Sequence, residues 1–326
     1  MLPLPTFSVL SPRVVSDAVQ MMMDHPQARL IAGGTDLLPS MKYGLFTPPT
    51  LIRLGGVSAL QEIAVTEAGG LRIGAGVTLR AVGRDVRVLS LYPALAAATR
   101  TIATSTIQAM GTLGGNLMLD TRCAWYNQST FWRGALGGCL KCHSAPEGAI
   151  CHVAPKGKGC YAAHSADTAP GLLLYDADVE LVSARGARRL PVAALYGDDG
   201  RDWIRRAPDE LLTAVILPPP PAGRVVHRKL RARGSIDYPL LLTAAAFDPE
   251  RGPRVVVSSV GPRPVELGGV AEAWRSGGVE AVAEAAYKQV SPLSTHVWPA
   301  PWRKKMVRVE VRRALEEAIT GSKTGV

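Results

Sequence analysis

The chain has 326 residues, 47% of them hydrophobic and 20% charged, with a formal net charge of +10. That length buries a sizeable core without disulfide staples, and the composition is that of a soluble globular protein, which excludes fibrous and disordered classes. No uncharged apolar run approaches the roughly 18 residues a membrane span needs, and the start MLPLPTF lacks a basic n-region and a small-residue cleavage site, so a cytoplasmic protein that does not enter membranes is expected.

In chain order, Ser11-Pro12 reads as a helix start, with Ser as N-cap and Pro at the first helical position. Val14, Val15, Ala18, Val19 and Met22 continue it as an apolar stripe. Ala28 to Pro39, ARLIAGGTDLLP, reads as a short buried strand, a double-glycine turn and a second short element. Thr50 to Val57 is a strand and turn, Gly69 to Leu79 has the alternation and glycines of a hairpin, and Ser90 to Ala103 is helical. Ala109 to Thr121 holds a second glycine-pair turn and leads into a loop that contains every cysteine of the chain. Beyond that loop, Asp167 to Leu195 reads as a helix or buried strand followed by two strands around Ala184-Arg185-Gly186. The proline run Leu217 to Gly223 suits a boundary. RVVHRKLRAR and RVVVSSVG then read as strands, and Val279–Tyr287 and Trp302–Ile319 as helices. Mixed short strands with interspersed helices, and no internal repeat, indicate an α+β fold. From Arg224 onward, 17 Lys and Arg face 10 Asp and Glu, leaving +7 there. With aromatics scarce and no helix-turn-helix or finger pattern, this basic surface is read as meeting an acidic partner protein, not nucleic acid.

The glycine pairs carry the first chemical signal. In Ile31-Ala32-Gly33-Gly34-Thr35-Asp36 and in Thr112-Leu113-Gly114-Gly115-Asn116, glycines follow apolar residues and precede small polar ones. Glycine lets main-chain N–H groups approach an anion with no side chain between. Two such turns about 80 residues apart can grip one dinucleotide from both sides. Neither is a Rossmann fingerprint: Gly74-Ala75-Gly76 starts one, but Leu79 stands where the third glycine belongs.

The second signal is the cysteine loop, Cys123 to Cys160, spaced C-x15-C-x2-C-x8-C-x8-C. In a reducing compartment clustered thiols point to metal or redox chemistry before disulfides. Cys139-x2-Cys142 admits three readings: a thioredoxin-like pair, half of a zinc site, or part of an iron–sulfur site drawing four thiolates from the loop with one cysteine to spare. His143, His152 and His164 are alternative ligands. Trp125, Tyr126, Phe131 and Trp132 place four aromatics in eight positions, where they can shield a redox centre.

With these motifs assembled, AGGTDLLP and TLGGN, followed by DTAP, resemble the A-G-G-x-x-L and T-[LI]-G-G-[NS] motifs of the FAD-binding medium subunits of the molybdenum hydroxylases, the xanthine dehydrogenase and carbon monoxide dehydrogenase family. The resemblance covers essentially the whole chain. DTRCAWYNQSTFWR, GGCLK, CHV and CYA further resemble the loop of one branch, the β subunits of 4-hydroxybenzoyl-CoA reductases, which carry an extra 4Fe–4S cluster there. The resemblance implies a two-part FAD-binding domain of the PCMH/VAO-like type over residues 1–220, split near residue 57, with an iron–sulfur insertion at 121–163 and a C-terminal α+β domain at 221–326. It implies flavin contacts from Leu30, Ile31, Ala32, Gly33, Gly34, Thr35, Asp36 and Leu37, from Thr112, Leu113, Gly114, Gly115 and Asn116, and from Ile102, Asp120, Asp167 and Lys229. It implies cluster ligation by Cys123, Cys139, Cys151 and Cys160, with Cys139 in the matching CLK context and Cys142 outside the pattern.

What the resemblance implies about activity is an electron-transfer subunit with no catalytic residue of its own. Its partners are a large subunit with the molybdenum cofactor and a small 2Fe–2S subunit, in a dimer of heterotrimers, with ferredoxin as electron donor. The complex would reductively dehydroxylate 4-hydroxybenzoyl-CoA to benzoyl-CoA. One alternative keeps the flavin subunit in a molybdenum hydroxylase that oxidises an aromatic or N-heterocyclic substrate. Another is a zinc-stapled binding protein that is not an enzyme component.

Overall fold

A computed structural model describes residues 2–142, 145, 147–234, 236–294 and 298–321. The first segment runs β1 (Ser8–Leu10), α1 (Val15–Asp24), β2 (Arg29–Ile31), α2 (Leu37–Lys42) and β3 (Thr50–Arg53). Its strands form a parallel sheet in the order β1-β3-β2. α1 buries Ala18, Val19 and Met22 against Ile52 and Leu211, the stripe expected from the sequence. It begins at Val15 and not at Ser11-Pro12, because the Ser11 hydroxyl accepts a hydrogen bond from Arg53 Nε at 3.3 Å and caps nothing.

The second segment contributes β4 (Ile63–Val65), β5 (Leu71–Gly74), α3 (Leu79–Val82), α4 (Val86–Leu91), α5 (Pro93–Arg100), α6 (Ser105–Met110), α7 (Leu113–Leu117), α8 (Thr130–Ala135), α9 (Ala169–Leu174), β6 (Asp178–Ser183), β7 (Gly186–Pro191) and β8 (Leu211–Leu217). Its antiparallel sheet has the order β4-β5-β8-β6-β7. The hairpin expected within Gly69–Leu79 lies earlier. It joins β4 to β5 through Thr66–Gly70, where Gly69 takes φ +82°, and Gly74-Ala75-Gly76 leads out of the sheet toward α3. The single helix expected over Ser90–Ala103 is two, because Pro93 cannot continue α4 and opens α5.

After the proline run come β9 (Arg224–Leu230), β10 (Leu241–Asp248), β11 (Gly252–Ser258), β12 (Val265–Glu266), α10 (Val270–Gln289) and α11 (Ala300–Thr320). α10 is broken at Gly277-Gly278, the latter at φ +61°. The four strands form an antiparallel meander whose side-chain alternation divides it between two cores. Val225, Ala244 and Val256 face α5 and α9, whereas Val226, Ala245, Val255 and Val257 face α10 and α11. Arg254 clamps the meander to the preceding segment, donating to Asp176 at 2.9 Å while its Nε donates to Glu266 at 2.7 Å.

The cysteine loop is an excursion between α7 and α9 whose ends are pinned together. Arg122 and Ala163 exchange backbone hydrogen bonds of 2.9 and 2.8 Å. No helix among the described residues is long and apolar enough to cross a membrane.

Candidate functional site

A cleft of about 2040 Å³, well beyond the roughly 300–1,000 Å³ of a drug-sized pocket, is lined by β2 and the turn after it, the start of β8, Lys229 of β9 and the segments around α6 and α7. Both glycine motifs line it, and the first presses against Met110-Gly111, the two residues that precede the second. A Cβ on Gly33 would sit 1.8 Å from the Met110 carbonyl oxygen, so only glycine permits this backbone approach. Gly34, at φ +70°, turns the chain back into α2. Among the described residues, the N–H groups of Gly33, Gly34, Thr35 and Asp36 donate to no atom of the chain. Four successive free donors lining a cleft form an anion cradle.

The second motif is not the open turn expected. Gly114 and Gly115 lie in the short helix α7, which the Thr112 hydroxyl caps by accepting from Gly115 N–H at 3.1 Å. The Leu113 and Gly114 amides donate to the carbonyls of Val77 and Ala75 at 2.9 and 2.8 Å, stapling α7 to the segment after β5. Asn116 closes this wall: its Oδ1 accepts from Thr168 N–H and Oγ1 at 3.2 and 2.7 Å, drawing in the segment that carries Asp167. Every residue of the expected flavin set lines the cleft except Leu113, which is fully buried in the central core.

All three acidic residues of that set are already engaged. Asp167 pairs with Lys229 at 2.7 Å, without the alignment of a hydrogen bond, and both side chains are almost wholly buried. Burial pushes the Asp167 carboxyl up to about 6 against the opposing pull of Lys229. Lys229 also donates to the Thr101 carbonyl at 3.0 Å, so it ties β9 to the end of α5. Asp120 accepts from Lys141 Nζ at 2.8 Å. Asp36 lies 3.5 Å from Arg122, whose Nη2 also donates to Ser40 at 2.7 Å; burial raises the Asp36 carboxyl and Arg122 opposes that rise.

Beside the cleft lies a small nest lined by Cys123, Cys139, Cys151 and Cys160 together with Trp125, Tyr126, Leu140, Lys141, His152 and Val153. Cys139, Cys151 and Cys160 are buried, and Cys123 is half-buried and accepts from Tyr126 N–H at 3.3 Å. Burial pushes the Cys139 thiol up to about 12 and the Cys160 thiol to about 11, and raises that of Cys123. A thiolate there therefore requires a cationic partner. Among the described residues no three His, Cys, Asp or Glu side chains are grouped to hold a metal ion. The grouping therefore does not distinguish the zinc reading from the cluster reading.

The histidine alternatives separate from the nest. His152 borders it, but its Nε2 is held 2.6 Å from the Gly138 carbonyl and its ring stacks on Trp125 at 4.1 Å. His164 is in the core beside Tyr196 and Trp203, where burial lowers it to about 4 and keeps it neutral. His143 lies outside the described residues. Trp125 and Tyr126 wall the nest and Trp132 packs edge-on to Trp125 at 4.8 Å, whereas Phe131 is 86% exposed and shields nothing.

Sequence reasoning missed Lys141. Its ammonium is 7% exposed and donates to Asp120, to Thr121 Oγ1 at 2.7 Å and to the Gly200 carbonyl at 2.5 Å, and lies 5.2 Å from the Tyr126 ring centre. It entered the sequence reading only as the last residue of the GGCLK match, and composition and spacing do not set it apart from Lys156 and Lys158. In the fold, Tyr126, Leu140 and Lys141 border both the cleft and the nest. Arg29 and Arg206, half-buried on the cleft wall, are further cations that no motif marked.

Comparison with known proteins gives one consistent result. Residues 5–220 match the family described as the FAD binding domain in molybdopterin dehydrogenase. The FAD-binding subunit of an aldehyde oxidoreductase from Escherichia coli K12 is 34% identical over 282 residues, covering 84% of this chain and 87% of that one. A xanthine dehydrogenase FAD-binding subunit from Escherichia coli O157:H7 is 25% identical over 94% of both chains. In fold, the chain is similar to a chain of quinoline 2-oxidoreductase from Pseudomonas putida 86, with a TM-score of 0.77 at 22% identity over 99% of this chain and 100% of that one. A chain of a Cu,Mo-CO dehydrogenase gives 0.78 at 24% identity, over 98% of this chain and 100% of that one.

Proposed function

The chain belongs to the family of FAD-binding domains of molybdopterin dehydrogenases, and from that premise we propose that it is the FAD- and 4Fe–4S-carrying electron-transfer subunit of a molybdenum hydroxylase complex. The observation that carries the cluster half of this reading is the shared wall: four cysteines line a nest, and among the described residues Tyr126, Leu140 and Lys141 border both it and the cleft. The free N–H groups from Gly33 to Asp36 would hold the flavin pyrophosphate. Cys123, Cys139, Cys151 and Cys160 would hold the cluster, each giving up its proton, and the Lys141 ammonium eases the thiolate charge on Cys123 and Cys160. When bound, the flavin would supply two-electron exchange and the cluster one-electron exchange. No residue of this chain acts as acid, base or nucleophile on the substrate, which would be bound by the large molybdenum-cofactor subunit. A small 2Fe–2S subunit completes a dimer of heterotrimers in the cytoplasm, with ferredoxin as electron partner.

Two observations support different substrates. The likeness of the cysteine loop to the 4-hydroxybenzoyl-CoA reductase branch supports reductive dehydroxylation to benzoyl-CoA. The identity of 34% over 84% of the chain to an aldehyde oxidoreductase subunit supports a second reading, oxidation of an aldehyde or another aromatic or N-heterocyclic compound. Iron, sulfide and flavin per chain, measured after anaerobic purification, test the cofactor assignment: one flavin with four irons and four sulfides is expected, and flavin without sulfide refutes the cluster. Assaying the whole complex with reduced viologen against the thioester, and with an artificial acceptor against aldehydes and N-heterocycles, decides the substrate.

A further inference from the structure

Of the five thiols in the loop, four face the nest. The fifth, Cys142, opens on the flavin cleft, yet its Sγ lies 3.2 Å from that of Cys139. A tight turn makes the pair, with Cys142 N–H donating to the Cys139 carbonyl at 2.9 Å. Such a turn keeps its end Cα atoms within about 7 Å, and a disulfide spans Cα separations of roughly 4.4–6.8 Å. Drawing the sulfurs from 3.2 Å to a bond of about 2.05 Å requires side-chain rotation without rebuilding the backbone. One sulfur stands inside the nest and the other on the open side of its wall.

We propose that Cys139 and Cys142 form a reversible disulfide in the cluster-free chain, withdrawing Cys139 from the nest and closing it to iron until a reductant reopens it. The inference rests on the reading of Cys139 as a cluster ligand. The oxidant is a small-molecule disulfide such as oxidised glutathione, admitted through the cleft. Cys142, as thiolate, attacks one sulfur of that disulfide and releases a first glutathione thiolate. Cys139 then loses its proton and attacks Cys142 Sγ, expelling the second. Two protein thiols are oxidised, one glutathione disulfide is reduced to two glutathione molecules, and the two protons pass to the leaving thiolates. The order follows from exposure: Cys139 is buried, and Cys142 lies at the cleft.

The test uses the full chain stripped of iron, exposed to oxidised glutathione, and compared with the untreated chain. Alkylation counting is expected to fall from five free thiols to three, peptide mapping to link Cys139 with Cys142, and iron and sulfide uptake to return only after reduction. Cys142→Ser is expected to keep iron uptake without reductant after the same treatment. Five thiols remaining after oxidation, a link between other cysteines, or equal sensitivity of Cys142→Ser overturns the proposal. Failure of the reduced wild type to take up iron overturns the cluster reading and with it the closing role, and the thiol count reports separately on the disulfide.

Discussion

Replacing Gly33 with Ala tests whether the close approach of the first glycine motif to the Met110-Gly111 backbone sets the grip on the flavin. The added Cβ would lie 1.8 Å from Met110 O, 2.4 Å from Met110 C and 2.9 Å from Gly111 N, all main-chain atoms that no rotamer change can move. Reaching even the 3.0 Å below which real Cβ contacts essentially never occur requires a shift of at least 1.2 Å, the difference between 3.0 and 1.8 Å. Overpacking of this kind costs about 1–3 kcal/mol of stability. It also moves the free N–H groups of Gly33 to Asp36 relative to α7, and hydrogen bonds fade when displaced by that much. Each lost contact to a charged group is worth roughly 1.5–3 kcal/mol, so FAD affinity is expected to fall by about 10-fold or more. The assay is FAD fluorescence quenching on the apoprotein, with thermal unfolding in parallel. Gly55→Ala is the control: Gly55 lines the same cleft, and a Cβ there meets nothing within 4 Å. Gly33→Ala matching wild type in both measurements, or Gly55→Ala losing as much flavin, refutes the reasoning.

Cys151→Ser is expected to lose iron and keep FAD, read by metal analysis and the flavin absorbance, because the nest and the cleft are separate cavities with a shared wall. Lys141→Met removes all three ammonium contacts and leaves Asp120, 14% exposed, without that cation. Breaking a buried pair from one side costs about 3–5 kcal/mol, so a melting temperature lower by on the order of 5–10 °C is expected, and an unchanged value would contradict it. For Asp167 the folded carboxyl titrates at about 6 against an ordinary 3.8. Folding therefore binds a proton between those values, and wild type should lose about 3 kcal/mol relative to Asp167→Asn as pH rises through that window. Denaturant unfolding of both proteins at several pH values measures it, and a constant or opposite difference would refute the buried-carboxyl assignment.

The sequence by itself determined the motifs whose chemistry is local. Paired glycines mark close backbone approach wherever they fall, and five cysteines confined to one loop mark a thiol site before any fold is known. The valine runs of β9 and β11 and the stripe of α1 were legible for the same reason, since propensity and period do not depend on partner. β8 and β10 escaped because both are apolar on both faces, LLTAVIL and LLTAAAFD, and such runs carry no period to read. Only the tertiary structure decided that Gly33 meets the Met110-Gly111 backbone, that Leu113 turns into the core while its neighbours face the cleft, and that Asp167 and Lys229 neutralise each other. It likewise set Cys139 inside the nest and Cys142 outside, and made Lys141 part of the wall between two sites. These facts rest on contacts between residues distant in sequence or on the direction a side chain takes in a packed wall. Neither is encoded in spacing along the chain.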